Sequence, residues 1–475
     1  MSLFHSTVSR REFMKGLGLA GAGIGAASVL APAFHDIDEM ISSSDAQWKR
    51  AWWIKNLEFE KPTVELDWSM MTRSDGIWTG QNGPTQTYFA GADEIKRRND
   101  LAAAFTAKGY KDNVSGWNLK AQALSAGLYQ QPTFGFIGPN TAKTPDQVGV
   151  PKWTGTPEEA SQMIRSAMVF YGAATVGMAE ITTQIKDKLV RQYDKAAAHK
   201  KYMFEDVPVG YEGTDKLVYP SNVPLYEFAW THPLSKELFR TTPSALMSAG
   251  NSLRYSNMSI MQPRIQQFAR SLGYTVYGYT QPVCGTIPTE GVATLTGLGE
   301  GGRNNGVFIS PEYGSTVGLF GVLTDLPMAP TPPIDAGIWR FCHTCMKCAN
   351  ACPFELISHE KEPTWEIPQI YGKPDNTHIP GKKQFWINGI DCWSLKATMG
   401  NCGTCMATCT FNTSGGAIHD VVKATLATTS VFNPTLSKAD SFFGYGLHSD
   451  KEAWWSMSQP TYGFDTAKIT QGKNY

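Results

Sequence analysis

The sequence predicts an α+β protein that combines a mixed helix-and-strand core with a small domain built around metal clusters. Two observations carry this prediction. Helix and strand patterns alternate over residues 151–335, which is typical of a layered core in which helices cover a sheet. Eight of the nine cysteines then fall between positions 342 and 409, at spacings that suit metal ligands. At 475 residues, the chain is long enough for two or three domains.

The first helix of the core has a clear beginning. Thr156 can cap it, Pro157 suits its first turn, and the two acidic residues that follow favour its positive end. Apolar residues at helical spacing continue toward about residue 180. The preceding region at 34–150 is rich in glycine and proline and has no clear helical period, so we expect a loop-rich extension that wraps the core.

The second half of the core reads as helix, strand, glycine-rich loop and strand. A helix is predicted over residues 260–272, ended by Gly273. Strands are predicted over residues 274–279 and 307–309. A proline cluster at 327–333 then marks the linker into the cysteine-rich domain.

The cysteines follow the pattern of a two-cluster ferredoxin. The run from Cys342 to Pro353 is C-x2-C-x2-C-x3-C-P, and in such proteins the fourth cysteine ligates the other cluster. Four further cysteines between positions 392 and 409 complete eight thiolates, enough for two [4Fe–4S] clusters. The predicted ligand sets are Cys342, Cys345, Cys348 and Cys409 for the first cluster, and Cys352, Cys392, Cys402 and Cys405 for the second.

Zinc and disulfides are the alternatives for these cysteines. Structural zinc takes two separated cysteine pairs, whereas three cysteines at successive x2 spacings suit the edge of a cubane cluster. Disulfide frameworks rarely use cysteines spaced so closely and so regularly. Two iron–sulfur clusters therefore fit the spacing best.

The first residues predict export. Ser9-Arg10-Arg11 begins a twin-arginine signal that ends in a small-residue pattern at Ala31-Pro32-Ala33. No later stretch reaches the ~20 apolar residues of a membrane helix. Lysine plus arginine equals aspartate plus glutamate at 42 each, so the charge gives no indication of a nucleic-acid partner. The predicted division is a signal peptide at 1–33, a wrapping region at 34–150, a core at 151–335, a cluster domain at 336–420 and a tail that packs on the core at 421–475.

Common redox and metal motifs are missing or incomplete. Residues 297–302 fit G-x-G-x-x-G, but a strand-like segment follows where a nicotinamide fold needs a helix. No H-E-x-x-H pair occurs, and no D-x-H-x-x-G segment offers a histidine to a corrinoid cobalt. The residues alone therefore indicate an exported two-cluster redox enzyme.

Several segments of the sequence resemble those of a known family, and this resemblance extends the functional prediction. In this order and together with the double cluster motif, they resemble the corrinoid-dependent reductive dehalogenases of organohalide respiration, over nearly the whole chain. The segments are Trp52-Trp53, Trp153-Thr-Gly-Thr-Pro-Glu-Glu159, Arg264-Ile-Gln-Gln-Phe268, Gly297-Leu-Gly-Glu300, Pro311-Glu-Tyr-Gly314 and Leu323-Thr-Asp-Leu-Pro327.

This resemblance implies a nitroreductase-like core that holds cobalamin without a lower ligand from the protein, fed by a ferredoxin-like domain with two [4Fe–4S] clusters. Cobalt reduced to Co(I) would attack the halogen or the carbon of an organohalide, such as a chlorinated alkane, alkene or arene. Halide leaves, and a proton replaces it or two vicinal halides are lost. The implied partners are a small integral membrane anchor protein and a quinone- or hydrogenase-linked electron donor. The implied place is the outer face of the cytoplasmic membrane, with the chain bound peripherally; the oligomeric state stays open, a homo-oligomer included.

The resemblance also implies catalytic residues. Tyr255, ten residues before Ile265, matches a tyrosine that donates a proton above the cobalt, although an ordinary buried tyrosine would look the same. Several relatives carry a neighbouring arginine at the position that Gly318 occupies here. Arg303 is the alternative cation, with a contact to the corrinoid tail as its competing role. Cys284, the cysteine outside the clusters, is expected to be an inert buried thiol.

Glycine-rich loops are the expected corrinoid contacts, since glycine lets the backbone approach a large ligand closely. Trp393, beside the predicted ligand Cys392, would line the channel or shield a cluster. The loop residues predicted to bind the cofactor are Gly297, Gly299, Gly302, Glu312, Tyr313 and Gly314.

Two competing functions are weighed against a dehalogenase. An exported electron-transfer subunit would carry the clusters without a corrinoid. An epoxyqueuosine-reductase-like enzyme pairs cobalamin with two clusters but acts on tRNA in the cytoplasm, which the export signal and the balanced charge disfavour.

Overall fold

The structure is a computed structural model that describes residues 50–127, 135–196, 198–281, 285–304, 308–412, 417–434, 436–437 and 446–463. The predicted signal peptide at 1–33 lies outside the described residues, and so does Cys284.

The described chain alternates helices and strands. The strands are β1 (Lys55–Asn56), β2 (Val176–Glu180), β3 (Lys201–Glu205), β4 (Tyr211–Glu212), β5 (Lys216–Pro220), β6 (Tyr226–Pro233), β7 (Val276–Tyr277), β8 (Val317–Thr324) and β9 (Ile334–Asp335). The helices are α1 (Gly83–Ala90), α2 (Ala92–Lys111), α3 (Leu119–Gly127), α4 (Pro145–Val148), α5 (Pro157–Tyr171), α6 (Thr183–Lys188), α7 (Lys236–Arg240), α8 (Ala245–Leu272), α9 (Thr289–Leu295), α10 (Ile338–Cys342), α11 (Lys347–Asn350), α12 (Gly389–Lys396), α13 (Thr404–Ala407) and α14 (Ala417–Thr428). Short 3-10 turns lie at Ala397–Met399, Thr410–Asn412, Glu452–Ser456 and Thr461–Gly463.

The core is organised around a four-stranded antiparallel sheet with the order β2-β6-β8-β7. β6 and β8 pair along their whole length, from Tyr226 opposite Thr324 to Pro233 opposite Val317. Nearly every residue of these two strands is buried, because other elements cover both faces of the sheet. The apolar run of β8 is therefore that of a central strand.

Helices α5 and α8 cover one face of this sheet, and α9 and a second sheet, with the order β3-β5-β4, cover the other. Phe320 of β8 packs with Ile265 of α8. Leu319, its neighbour, packs with Val292 of α9. Because side chains alternate along a strand, Gly318 shares the face that meets α8.

The first core helix, α5, ends earlier than predicted. Thr156 caps it as expected, with its Oγ1 accepting from the Glu159 N–H at 3.2 Å. Gly172 then ends the helix at φ 117°, and residues 176–180 form β2. The prediction that this helix reaches residue 180 is wrong, because an apolar run buried on both faces fits a central strand as well as a helix.

The second predicted helix, at 260–272, is confirmed within α8, which begins earlier, at Ala245. Ser244 caps its start, and Gly273 ends it at φ 89°. The helix contains Pro263 and continues past it, although proline in a helix interior removes a backbone hydrogen bond. Residues 245–259 contain four serines, two asparagines and a glycine, which are weak helix formers, so the sequence pattern predicts only the last part of the helix.

The two strands predicted after this helix are shorter than expected. Only β7 forms within residues 274–279. Of the strand predicted at 307–309, residue 307 lies outside the described residues, and Ile309 forms an isolated bridge with Glu300.

The region before the core is more helical than predicted. α2 alone spans Ala92–Lys111, so the expectation of a loop-rich extension at 34–150 needs correction for this part. The helix buries few apolar side chains and is fixed through Arg98, whose guanidinium donates to Glu94 on the same helix and to Asp391 of α12. Arg98 lies on the buried face of this helix together with Ile95, which weakens the apolar pattern that predicts a helix.

The cysteine-rich domain packs against the core through its own apolar cluster. Phe341 and Phe411 meet edge to face in this cluster, at a centroid distance of 5.5 Å. α14 adds Leu426 to the same cluster and so crosses the domain boundary predicted at residue 420. Farther along, the Arg240 Nε donates to the Gly446 carbonyl at 2.6 Å, which places the last described segment against α7 of the core. In the part of the chain that the structure describes, no helix is both long enough and apolar enough to cross a bilayer.

Candidate active site

A cavity lies between α8, β8 and the cysteine-rich domain. Its volume is about 280 Å³, and its mouth is open to solvent, so it lies near the lower end of the ~300–1,000 Å³ range of pockets for drug-sized ligands. Apolar and aromatic side chains form much of the wall, among them Tyr279, Phe308, Leu319, Phe320 and Trp393.

The polar part of the wall is cationic. Four basic side chains line the cavity, and none of its described lining residues is an aspartate or glutamate. A wall with one sign of charge and apolar surroundings favours a ligand that is neutral or negatively charged. The four basic residues are Arg191, Lys195, Arg254 and Lys396.

Tyr255 and Arg254 form a pair on this wall. The Arg254 Nη2 donates to the Tyr255 Oη at 3.0 Å, and the guanidinium carbon lies 4.7 Å from the centroid of the tyrosine ring. The ring meets Phe320 of β8 edge to face at 5.9 Å. The buried Arg254 Nε has no hydrogen-bond partner among the described residues, so this guanidinium keeps a free donor beside the phenol.

Gly318 creates the space in which Arg254 lies. A Cβ atom on Gly318 would stand 2.8 Å from both the Cβ and the Cδ of Arg254, far closer than real Cβ contacts. His232 lies opposite Gly318 in the sheet, and burial, with a contribution from Arg254, lowers the pKa of His232 to about 4. The histidine is therefore neutral at neutral pH and adds no second charge behind Arg254.

Arg303 occupies a different place from the one predicted. It is fully buried, and its guanidinium lies 3.8 Å from the centroid of the Phe385 ring. Four backbone carbonyls of the cysteine-rich domain accept its hydrogen bonds at 2.7 to 3.3 Å. Arg303 does not line the cavity. The prediction that it assists Tyr255 therefore needs correction, because its donors are used to join the two domains.

The glycine-rich loops also lie away from the cavity, since none of the six residues predicted to hold a cofactor there lines its wall. Gly297, at φ 68°, accepts from Arg50 Nη2 at 3.0 Å, and Gly314, also at φ 68°, packs against Asn412. Gly314 lets the core approach the cysteine-rich domain, whereas Gly299 lies behind Phe308, a residue of the cavity wall. A contact between these loops and a cofactor stays a prediction. The six residues are Gly297, Gly299, Gly302, Glu312, Tyr313 and Gly314.

Trp393, in contrast, lies on the cavity wall as predicted for a channel residue. The Lys396 Nζ stands 3.1 Å from the centroid of its ring. Burial lowers the pKa of Lys396 to about 8, although Cys392 and Cys402 oppose this shift. Cys402 lines the same cavity, so one wall joins the tyrosine side to the cysteine-rich domain.

The eight described cysteines are free thiols, so disulfides are excluded as their role. Burial raises the pKa of Cys342, and Cys345 and Cys409 add to the shift. Burial raises the pKa of Cys392 to about 11, with contributions from Cys402 and Cys352.

These interactions link cysteines within the two sets that the spacing predicts. Cys405 also interacts with the second set, yet it borders a small cavity next to the first. In the described part of the chain, no three cysteine, histidine, aspartate or glutamate side chains converge tightly enough for a single metal ion. Thiolates that each bind a different iron of a cubane stand farther apart than the ligands of one ion.

Comparison with known proteins identifies the family. A family model described as the reductive dehalogenase subunit matches residues 49–328. A chloroethene reductive dehalogenase from Dehalococcoides mccartyi (strain VS) is 31% identical, over 98% of this chain and 99% of that protein. The chain belongs to the reductive dehalogenase family. It is therefore an oxidoreductase that acts on halogen.

Other reductive dehalogenases agree with this assignment. A tetrachloroethene reductive dehalogenase from Sulfurospirillum multivorans is 31% identical, over 66% of this chain and 62% of that protein. A solved reductive dehalogenase structure, reported with a mechanism for B12-dependent dehalogenation, superposes with a TM-score of 0.56 at 16% identity. The match covers 83% of this chain and 49% of that one, so this reductive dehalogenase spans about half the length of that structure. The similarity supports the mixed helix-and-sheet fold.

Sequence reasoning missed the two cations that lie closest to the functional features of this reductive dehalogenase. Arg254 directly precedes Tyr255, but adjacent helix residues normally diverge, and only the empty position at Gly318 lets the arginine fold back. Lys396 stands four residues after Cys392, a spacing that places both on one helix face. The proximity of Lys396 to Cys392 could therefore have been predicted from the sequence.

Proposed function

We propose that this reductive dehalogenase is an exported catalytic subunit of organohalide respiration, with cobalamin at the cavity beside Tyr255 and two [4Fe–4S] clusters in a ferredoxin-like domain. The observation that carries the proposal is the shared cavity wall. It brings the Tyr255–Arg254 pair and Cys402 of the second cysteine set to one enclosed space, so a bound redox cofactor would lie between an electron entry and a proton donor.

The cavity fits a corrinoid in its chemistry. Its volume is about 280 Å³ and its mouth is open to solvent, so a corrinoid would occupy the open cleft as well as the cavity. The proposed corrinoid has no lower ligand from the protein. Bound there, the corrinoid would supply a strongly reducing cobalt that breaks the carbon–halogen bond. A nitroreductase-like description of the core is part of this proposal.

The buried cysteines fit iron–sulfur clusters. Burial raises the pKa of Cys342 and Cys392 well above the usual range of a thiol, so a nearby metal is needed to make them thiolates at neutral pH. Eight free thiols in two sets match two cubanes, and Cys402 of the second set lines the cavity. The clusters would supply the electrons one at a time.

Tyr255 is the proposed proton donor. Its side chain lies on the cavity wall, and a phenol hydroxyl can give its proton to the carbon that loses halide. Arg254, which donates to this oxygen at 3.0 Å, would stabilise the negative charge left on it. The apolar wall around the pair would keep water from competing for the same position.

The proposed substrates are small organohalides, namely a chlorinated alkane, alkene or arene. The aromatic wall formed by Phe308, Phe320 and Trp393 suits an apolar halocarbon. Relatives named for chloroethenes and tetrachloroethene support this class. Loss of one halide with protonation at Tyr255 and loss of two vicinal halides are both compatible with this wall.

Export and anchorage complete the proposal. The twin-arginine leader supports transport of the folded chain to the outer face of the cytoplasmic membrane. There a small integral membrane protein would hold it peripherally, and a quinone- or hydrogenase-linked donor would reduce it. Recovery of the mature chain mainly free in the exoplasmic wash would refute anchorage.

Metal analysis of anaerobically purified protein tests the function. We expect about eight iron atoms and about one corrinoid cobalt per chain, and methyl-viologen-driven halide release that is lost when the reduced cobalt is alkylated. A Cys392→Ser variant should lose iron and activity together. Iron without cobalt in an otherwise loaded wild-type chain would leave an electron carrier and contradict the proposal.

A further inference from the structure

Lys396 lies between the second cysteine set and the cavity. It is the last residue of α12, one turn after Cys392, so both side chains project from the same face of the helix. Its ammonium stands over the Trp393 ring at 3.1 Å, and its side chain lines the cavity together with Cys402. A positive charge is therefore placed where the cysteine-rich domain meets the cavity.

No ordinary partner neutralises this charge. Among the described residues, no oxygen accepts a hydrogen bond from the Lys396 ammonium, and no carboxylate forms an ion pair with it. The negative groups that act on it are Cys392, Cys402 and Cys405, all of the second set. A cation withdrawn from water needs a compensating negative charge, and here only the thiolates of a cluster can supply it.

The first cysteine set has a lysine of its own. Lys347, at the start of α11, directly precedes Cys348, and Cys345 and Cys409 of the first set are the negative groups that act on it. Cysteines of the second set therefore act on Lys396, and cysteines of the first set act on Lys347. This division gives Lys396 a matched control within the same domain.

We propose that Lys396 raises the reduction potential of the second cluster and so holds the electron next to the cavity. The inference rests on the proposed function, since it requires that both clusters are present. When the second cluster accepts one electron from a reduced donor, the donor is oxidised, no bond breaks and the cluster gains one negative charge. A fixed ammonium beside its ligands stabilises that added charge, and net charge near a cluster is one of the quantities that set its potential.

The test is a redox titration of the cluster-loaded full-length chain, followed by electron paramagnetic resonance with a titanium(III) chelate as reductant. Lys396→Met should shift one of the two cluster midpoint potentials to a more negative value and leave the other unchanged. Lys347→Met should shift the other midpoint instead. Iron content is measured on every sample.

Charge is separated from packing by two further variants. Lys396→Arg keeps the positive charge and should keep the wild-type midpoint, whereas Lys396→Gln should show the negative shift even if the Met variant loads less iron. Unmoved midpoints in iron-loaded Lys396→Met and Lys396→Gln would overturn the inference while leaving the proposed function standing. An iron-free wild-type chain would refute the proposed function and the inference with it.

Discussion

Arg254 and Arg303 are two arginines that lie close to the cysteine-rich domain but use their donors in opposite ways. Arg303 is fully buried, gives its hydrogen bonds to four backbone carbonyls and stacks on Phe385. Arg254 gives one to the Tyr255 Oη and keeps a buried Nε without a partner among the described residues. The hydrogen bonds of Arg303 are made within the protein. Arg254 keeps one donor for a group at the cavity.

The difference shows how a buried charge can be assigned to structure or to function. A guanidinium whose donors are saturated by carbonyls fixes the backbone, and removing it leaves those carbonyls unpaired. One that keeps an unused donor at a cavity costs stability, and such exceptions to complete hydrogen bonding call for an explanation. Stability and activity should therefore respond separately at these two positions.

The largest effect is expected at the satisfied arginine. Arg303→Met leaves four carbonyls without a donor, and the chain should lose about 3–5 kcal/mol of stability together with part of its iron. Thermal unfolding and iron content measure the two losses. Arg340→Met, at a half-exposed arginine of the same domain, is the control and should cost about 1 kcal/mol or less. If the Arg303 variant unfolded at the wild-type temperature, the structural role assigned to Arg303 would be contradicted.

Glu227 is a buried acidic side chain, in contrast to the two buried arginines. It is buried on the α9 face of the sheet, and burial raises its pKa to about 8. Because the folded pKa lies above the unfolded value, its contribution to stability is fully present below pH 4.5 and is lost as the pH rises through 8. Between pH 6 and pH 8, the wild type should lose up to about 3 kcal/mol more than Glu227→Gln.

Thermal unfolding of both proteins at the two pH values measures this difference. Equal losses would mean that Glu227 is not held neutral by burial. A smaller loss in the Gln variant would confirm that the sheet tolerates an isolated acid only in its protonated form, in contrast to the permanently charged arginines.

The unsatisfied arginine should affect activity more than stability. Arg254→Gln removes the charge beside the phenol, and halide release should fall about 10- to 100-fold with little change in the unfolding midpoint. Arg264→Gln, at an exposed position of the same helix, serves as the control and should keep the wild-type rate. If Arg254→Gln lost much stability but kept its activity per cofactor-loaded chain, a functional role for Arg254 would be contradicted.

The smallest effect is expected at the glycine that admits Arg254. Gly318→Ala would place a Cβ 2.8 Å from the arginine stem, which should displace Arg254, cost about 1 kcal/mol and lower halide release less than Arg254→Gln does. Gly291→Ala is the control, since its Cβ would make only ordinary contacts of 3.6 and 3.8 Å. The double variant Arg254→Ala, Gly318→Arg should regain part of the activity if the position of the charge, and not the residue that carries it, is what matters.

Features encoded over a short stretch of sequence were the more predictable ones. The helix at Thr156 is confirmed, since its cap and first turn lie within four residues. The two cysteine ligand sets rest on local spacing and stay a prediction. Tyr255 was selected through the family resemblance; the structure places it on the cavity wall, and its role as proton donor stays a prediction.

Features that depend on distant contacts were not predictable. The position of Arg254 beside Tyr255 depends on which face of β8 carries Gly318. The pairing of β8 with β6 sets that face. The close contacts of Gly297 and Gly314 also depend on distant residues, since they involve Arg50 and Asn412. Arg98, on the buried face of α2, contacts Asp391 of α12, and this contact is likewise distant in sequence.

We propose that Tyr255 delivers the proton at this cavity. Halide release by a fully loaded Tyr255→Phe variant tests this role. The rate should fall about 100- to 10,000-fold, with wild-type iron and cobalt content. Tyr274→Phe, which alters a tyrosine that donates to the Trp153 carbonyl away from the cavity, should keep its activity. A Tyr255→Phe enzyme that releases halide at the wild-type rate would contradict the account.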